Sequence, residues 1–472
     1  MDRIVFSTTP KRSRADHAGS VEASAQVAAA TLVGPDLIGR LPDCVLGRII
    51  SLLETEEGAR TAILSRRWRH VWLSAPLNLD DRLRPYYVDH HRLQVISQIL
   101  DVHLGSARRL SLRSLNLPSS ISRFDGWLRL PLFDSLEELV LRFGLDAHQP
   151  HQPEIPASAL RFASLRVLDI DNCSFPASGR RAPSFPCLTY LSLRRVCIAE
   201  ELLLGMISHS PGIENMMLDT ISGHRRLCLS SLPMLRCLAV LVSQTFIRKR
   251  EIELEELVVD DTPSLERLLL HEVQYGPSVK IKDATKLKML GYLGTGFPII
   301  ELGNSVFKGM VPVSLVSQFS TVTILGLEMP EPELDVVVGY LTCFPCLEKL
   351  HIKLFKNVWK NLELTLPLDP SAPIECLDRS LKTIVLQSYE GLKAHVKFAR
   401  FFVERARVLE VMKFCSLRDC AMRWLRTQFR LLNIENRASR HAEFPFVHQY
   451  DWPERFWMND GFSSDDPFME SV

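Results

Sequence analysis

The sequence predicts an α/β chain in which a small helical head precedes a long solenoid of strand repeats with a parallel sheet. Three observations carry this prediction: helical spacing of apolar residues in 36–75, an apolar frame that recurs from residue 107 onward, and a mixed helix and strand pattern in 374–420. The chain has 472 residues, of which 46% are hydrophobic. It therefore contains enough apolar material for a large buried core.

The N-terminal residues 1–34 are polar and alanine-rich, show no helical or strand period, and are predicted to be disordered. KRSR at 11–14 is a short basic run of the kind found in nuclear-import signals. The apolar stretch VAAATLVG is too short to span a bilayer. With 56 Lys and Arg against 55 Asp and Glu, the chain has no net field that would attract nucleic acid or an anionic membrane. We expect a cytoplasmic and/or nuclear protein with neither of these partners.

The head, residues 36–75, is predicted to form three short helices. The first begins near Pro42, where a missing N–H costs least, and its apolar residues recur at helical spacing: Val45, Ile49, Leu52 and Leu53. Thr55 is the predicted N-cap of the second helix, and Ser65 is that of the third. About forty residues is close to the lower limit for a self-sufficient core. The solenoid or a partner is therefore expected to cover part of the head.

An apolar frame fills the chain beyond the head, with apolar residues at a first position and at plus three, plus five and often plus eight. LRVLDIDNCSF at 165–175 shows it clearly. Copies begin at Ala107, Leu136, Leu165, Leu188, Ile213, Leu235, Leu254, Leu265, Leu287, Val322, Leu347, Leu381 and Leu409. Most steps are about 20 to 30 residues, the period of leucine-rich repeats. Residues 105–373 are therefore predicted to stack as one curved solenoid. An ordinary α/β domain with leucine-rich strands is the alternative.

Strand alternation turns the plus-three and plus-five residues inward and the plus-four and plus-six residues outward. The sheet face of a solenoid is broad and typically binds macromolecules. Most outward side chains are expected to be solvated, and a minority to contact a target. The candidate target-binding residues are Arg113, Arg142, Asp169, Asp171, Arg194, His271, His351 and Lys353.

The head resembles an F-box, the helical module that docks a substrate receptor onto a Skp-type adaptor. LPDCVLGRIISLL followed by ARTAILSRRWRHVW carries the resemblance through its Leu-Pro pair, its leucine and isoleucine spacing and its Ser-Arg-Arg-Trp tip. The resemblance implies adaptor contacts, and the sequence leaves open which of them belong instead to the head's own core. The residues concerned are Leu41, Pro42, Val45, Ile49, Leu64, Ser65 and Trp68.

The segment ECLDRSLKTIVLQSYEGLKAHVKFARFFVERARVLEVMKF at 375–414 is similar to the FBD domain of plant F-box proteins. Residues 374–420 are predicted to cap the repeats, with 421–472 as a C-terminal segment. The order of the three resemblances is that of the plant F-box/FBD/leucine-rich-repeat family. It implies a substrate receptor of a Skp-cullin-F-box ubiquitin ligase. Its partners would be a Skp-type adaptor, through it the cullin and RING subunits, and an unknown target protein.

The sequence predicts no catalytic residue, metal or cofactor. CFPC at 343–346 has no second CxxC to complete a zinc site, and the chain contains no GxxxxGK[ST], GxSxG or HExxH motif. Two other functions stay open at this point. A repeat scaffold could bind partners without ubiquitin machinery, and the basic tip SRRWRH could contact nucleic acid.

Overall fold

A computed structural model describes residues 37–81, 89–115, 121–144, 152–176, 182–242, 254–272, 276–282, 285–294, 296–309, 311–314, 319–355, 374–416 and 421–448. The predicted disorder of 1–34, with the basic run at 11–14, lies outside these residues. Within the described ranges, every helix is too short or too polar to cross a bilayer.

The described chain forms ten α-helices, three of them in the head. Their bounds are α1 Asp43–Ile50, α2 Thr55–Thr61, α3 Arg66–Ser74, α4 Asp89–Val102, α5 Ile121–Leu128, α6 Glu200–Ser208, α7 Leu334–Cys343, α8 Glu375–Arg379, α9 Lys393–Arg405 and α10 Met422–Leu431. The head closes around its own small core of Leu46, Ile50, Val71 and Ala75.

One of the two predicted helix caps in the head is confirmed. Ser65 precedes α3, and its hydroxyl accepts the Trp68 N–H. The N-cap prediction for Thr55 is wrong, because Thr55 is the first residue inside α2 and follows Glu54. Its hydroxyl is used instead by the first strand of the sheet, which no local sequence rule anticipates.

The described residues also form twenty strands. They are β1 Leu77–Asp80, β2 Ala107–Leu115, β3 Glu138–Phe143, β4 Val167–Ser174, β5 Tyr190–Cys197, β6 Asn215–Asp219, β7 Arg226–Leu229, β8 Cys237–Val242, β9 Glu256–Val259, β10 Arg267–Glu272, β11 Ser278–Ile281, β12 Met289–Gly294, β13 Ile299–Leu302, β14 Ser305–Lys308, β15 Val311–Ser314, β16 Ile324–Met329, β17 Lys349–Leu354, β18 Thr383–Gln387, β19 Val411–Ser416 and β20 Phe446–His448.

The main sheet has fourteen strands in the order β1-β2-β3-β4-β5-β6-β8-β10-β12-β16-β17-β18-β19-β20. Neighbours throughout the sheet are parallel and advance in chain order, as a solenoid requires. The frame places the strands in register: Leu168 lies opposite Leu191, and Ile170 lies opposite Leu193. All four side chains are fully buried. The predicted α/β repeat fold is therefore confirmed.

One of the frames does not form a strand of the main sheet. The copy that begins at Leu254 forms β9, which belongs to a second sheet in the order β15-β14-β13-β11-β9-β7. These strands replace helices in the return segments of the middle repeats, and residues such as Leu257 and Ile281 pack into the same large core. A short strand buried on one side shows the same leucine pattern in either sheet, so the sequence could not separate them.

The sheet extends past both ends of the predicted repeats. β1 adds a strand directly after the head, and β20 adds one after the FBD-like segment. α9 lies between the last two frames, as the mixed helix and strand pattern of 374–420 predicts, and its residues Phe398, Phe402 and Val403 are buried. Residues 356–373, in the long step before Leu381, lie outside the described residues. The long step before Val322 contains the hairpin of β14 and β15.

Candidate protein-docking surfaces

The head exposes an unusual number of large apolar side chains. Of the fourteen such side chains in the described part of the chain, seven lie in 37–64: Leu37, Ile38, Val45, Ile49, Leu52, Ile63 and Leu64. Leu52 and Ile63 are more than 80% exposed. Exposed apolar side chains concentrated in one short segment are typical of a protein interaction site and not of ordinary surface scatter.

The fold divides the seven predicted adaptor-binding residues into two groups. Val45, Ile49 and Leu64 are exposed, and Pro42 is exposed at the N-cap of α1. The other three serve the head itself, because Ser65 caps α3 while Leu41 and Trp68 pack against the small core. Leu52 and Ile63 were not among the predicted contacts, although they are more exposed than the residues that were. The sequence signal that could have identified them is their apolar character at the ends of the helically spaced apolar residues.

The head is bonded directly to the first strands of the sheet. The Thr55 hydroxyl donates to the Asn78 carbonyl oxygen at 2.7 Å and accepts the Asp80 N–H at 2.9 Å. At the far end of α3, the Leu104 N–H donates to the Leu73 carbonyl oxygen at 2.8 Å. Trp72 packs against both the small core of the head and the large core of the repeats. These contacts hold the head in one orientation on the sheet.

His103 and Gly105 complete this joint. Burial lowers the pKa of His103, so its ring is neutral, and Nε2 lies 2.9 Å from the Ala75 carbonyl oxygen. The His103 ring also contacts Trp72 edge to face. A Cβ on Gly105 would lie 2.2 Å from the Ala75 carbonyl oxygen, so only glycine allows the chain to pass this close to α3.

The basic tip of the head uses one of its arginines for its own structure. The Arg67 guanidinium donates to Asp43 Oδ1 at 2.7 Å and to the carbonyl oxygens of Gly39 and Leu41. These bonds fasten the start of α1 to α3. Arg67 therefore has a structural role that does not require nucleic acid.

The other candidate surface is the face of the main sheet that points away from the large core, which we call the open face. Asp169 lies here between two arginines, at 2.7 Å from Arg194 Nη2 and 3.1 Å from Arg142 Nη2. Burial opposes ionisation of this carboxyl, but the two guanidiniums outweigh it and lower the pKa of Asp169. The neighbouring carboxyl of Asp171 pairs with Arg195, yet burial raises its pKa to about 6.

A second group of charges lies further along the same face. The Glu328 carboxylate lies 3.0 Å from His271 Nδ1 and 3.3 Å from Lys353 Nζ. Burial opposes ionisation of Glu328, but these two partners outweigh it and lower its pKa. His351 is only 2% exposed, and burial lowers its pKa to about 3, so it presents no charge at neutral pH.

The expectation that the outward positions are solvated is wrong for four of the eight candidates: Asp169, Asp171, Arg194 and His351 are all buried. Arg113, Arg142, His271 and Lys353 are partly exposed. Parallel strands lie about 4.8 Å apart, so side chains at equivalent frame positions touch and form ion pairs, and these contacts account for part of their burial. Strand alternation correctly predicts which face of the sheet these side chains lie on. How far each one is buried depends on side chains of the adjacent strands, which belong to other repeats.

An apolar cluster lies between the two charged groups and was not predicted. It consists of Met217, Cys237, Ala239, Leu269, Met289 and Tyr292, with Leu241 and Ile324 packed against it. The sequence does indicate this cluster, because four successive frames of the main sheet carry apolar residues at outward positions. It was missed because only polar outward residues were considered as target-binding candidates.

Comparison with known families gives three matches along the chain. The F-box domain family matches residues 38–80, and the FBD family matches residues 369–414. The family described as "FBD-associated F-box protein At5g56370, LRR repeats" matches residues 124–352.

Three relatives match this chain over most of their own length. The Arabidopsis thaliana "F-box/FBD/LRR-repeat protein At1g13570" is 22% identical over 81% of this chain and 91% of its own length. The "Putative FBD-associated F-box protein At5g22720" is 25% identical over 79% and 87%, and the "F-box/LRR-repeat protein At2g42730" is 24% identical over 86% and 96%, both from the same plant. With the helical head, the parallel repeat sheet and the FBD segment in this order, the chain belongs to the plant F-box proteins that carry leucine-rich repeats and an FBD domain.

Proposed function

We propose that this chain is the substrate receptor of a Skp-cullin-F-box ubiquitin ligase and performs no bond chemistry itself. The head binds a Skp-type adaptor and, through it, the cullin and RING subunits, while the repeats bind a target protein for ubiquitination. Cytoplasm and/or nucleus is the location that goes with this proposal. The observation that carries it is the exposed apolar surface of the head, which supports docking to a partner.

The physical argument rests on the area that docking removes from water. Burying a large aliphatic side chain contributes about 1.5 to 3 kcal/mol relative to exposure. The head offers several such side chains, two of them on α1 and the others in the segments that flank the helices, and none of them belongs to the head's own small core. A few of them, desolvated together at the centre of an interface, are expected to carry most of the affinity.

The test uses residues that contribute little to the fold. The double variant Ile49→Asp with Leu64→Asp places charges on the exposed surface, and we expect adaptor affinity to fall by on the order of thirtyfold or more, which corresponds to about 2 kcal/mol. Co-purification with a Skp-type adaptor measures it. Met234→Asp is the matched control, because Met234 is also an exposed apolar residue but lies in the repeats.

Leu41 and Pro42 remain predicted contacts. Leu41 packs partly against the head's core, so its replacement by Ala would mix lost docking with lost packing. Adaptor binding retained by the double Asp variant would mean that the contact surface is elsewhere on the head. If the unmodified chain binds no Skp-type adaptor at all, the ubiquitin-ligase proposal fails and a repeat scaffold without ubiquitin machinery replaces it.

A further inference from the structure

The apolar cluster on the open face is buried, although no described element lies over it. Its six members are between 0% and 6% exposed. They and their two packed neighbours all belong to strands β6, β8, β10, β12 and β16. The large core on the other face differs, because helices and the second sheet contribute to it.

Burial extends beyond the cluster to both charged groups. Asp169, Arg194, Glu328 and His351 are each at most 7% exposed. Parallel sheets occur almost only with both faces covered, and the described elements cover one. A second layer over the open face would complete the arrangement.

The charge of the open face indicates what that layer contains. Strand register places more basic than acidic side chains on this face. The basic ones are Arg109, Arg113, Arg142, Arg194, Arg267, Lys349, Lys353 and Lys413; the acidic ones are Asp80, Glu138, Asp169, Asp171, Asp219 and Glu328. A covering segment would need acidic groups for the rim and large apolar groups for the cluster.

Residues 449–472, outside the described part, have this composition. QYDWPERFWMNDGFSSDDPFMESV contains six acidic residues and one arginine, together with two tryptophans and three phenylalanines. Residues 1–36 are less suitable, since they are rich in alanine and contain as many basic as acidic residues.

The C-terminal segment is also long enough. It follows β20 at the edge of the main sheet, and six strand spacings of about 4.8 Å separate β20 from β10 in the cluster, roughly 30 Å in all. An extended segment of this length reaches roughly 80 Å.

We propose that residues 449–472 lie across the open face, with aromatic side chains on the apolar cluster and carboxylates beside the flanking Arg and Lys side chains. The segment therefore occupies part of the surface that the proposed function assigns to the target. Because it is tethered, it competes at a high effective concentration, and a target must displace it or bind over it. The contact itself does not depend on the ligase function.

Cys237 lies within the cluster and reports on its cover. It is 2% exposed, and burial raises its pKa to about 12. We would follow maleimide labelling of each cysteine by mass spectrometry in the full chain and in the triple variant Trp452→Ser, Phe456→Ser, Trp457→Ser. Labelling of Cys237 should accelerate about tenfold or more in the variant, since each unit by which a thiol pKa falls raises its thiolate fraction tenfold.

The chain supplies its own controls. Cys173, buried in the large core, should label slowly in both proteins, and Cys346, which is exposed, should label quickly in both. Ser463→Gly with Ser464→Gly alters the same segment without removing an aromatic ring and should leave Cys237 protected. Carboxylate–amine cross-linking of the full chain should join the segment to Lys349, Lys353 or Lys413.

Any of four results would overturn the proposal. Cys237 labelling as fast as Cys346 in the unmodified chain would show an open face. Cys237 still protected in the triple variant, or cross-links confined to Lys393 and Lys397 of α9, would show that the segment lies elsewhere. Protection that arises only when an acidic target peptide is added would assign the face to a partner. Adaptor co-purification is measured separately, so none of these results affects the ligase proposal.

Discussion

Replacing Asp169 by Asn tests whether the charges of the open face are structural. Arg194 Nη2 lies 2.9 Å and 2.7 Å from the two carboxylate oxygens, and Arg142 donates at 3.1 Å. Asn keeps an acceptor oxygen but removes the charge, which leaves two guanidiniums side by side with Arg194 only 5% exposed. Breaking a buried pair in this way typically costs 3 to 5 kcal/mol. Because the Arg142 side chain remains 14% exposed, we expect the lower end of this range, about 3 kcal/mol.

Urea unfolding at pH 7 measures the loss, with Glu137→Gln as the control. Glu137 pairs with Arg108 near the surface, so its replacement should cost roughly 1 kcal/mol or less. The folded pKa of Asp169 is lowered, so its contribution is complete above the ordinary value of 3.8 and disappears as the pH falls through the lowered value. The stability difference should therefore be constant from pH 7 to about 5 and narrow below about 4. A cost below 1 kcal/mol at pH 7 would refute the reasoning.

The Asp169 geometry also affects how target binding can be mapped. Reversing the charge of both Arg142 and Arg194 would place three carboxylates together in a buried position. Lost target capture in such a variant would then report unfolding rather than a lost contact. Partly exposed positions such as Lys353 are better suited to a scan of the face.

Two further variants test the head and the joint with the sheet. A Cβ on Gly58 would lie 2.7 Å from the Trp72 ring, so Gly58→Ala should destabilise the head by about 1 to 3 kcal/mol and speed amide exchange in α1 to α3. Gly126→Ala is the control and should not destabilise the chain, because nothing lies within 4 Å of a Cβ at that position. Equal effects of the two variants would contradict the packing of Gly58 against Trp72. Burial raises the pKa of Asp81 to about 6, so the folded state binds this proton more tightly than the unfolded state and stability falls as pH rises from about 4 to 6. Asp81→Asn should remove that slope in urea titrations, and an unchanged slope would show that another group causes it.

The repeats could be predicted from the sequence because their pattern is local. Alternation within one strand turns Leu168 and Ile170 toward the core whichever strands lie beside them. Because successive copies follow at a similar period, they can stack in only one way, side by side in chain order. The same locality explains the error at Leu254. The leucines of β9 and β10 fit the same apolar frame equally well. Which sheet each strand joins depends on the course of the chain between the strands, which the frame does not specify.

The exposure of apolar residues in the head was only partly predictable for the opposite reason. Val45 and Leu46 are adjacent apolar residues of one helix, yet Val45 is 40% exposed and Leu46 is fully buried. The difference arises where α1 meets α3, which the sequence of α1 does not contain. Thr55 likewise has a suitable side chain for an N-cap, but the strand at 77–80 offers its hydroxyl both a donor and an acceptor.

The rigid joint between head and sheet has a consequence for the proposed function. A target held on the open face can receive ubiquitin only at lysines that the ligase reaches, and a flexible linker would let many of them sample that position. Here Thr55 bonds to β1, Trp72 packs into both cores, and Gly105 passes directly beside the end of α3. Under the proposed function, a target bound to the repeats would therefore keep one orientation relative to the adaptor. Selectivity for particular lysines would then follow from the geometry of this joint as well as from the face that holds the target.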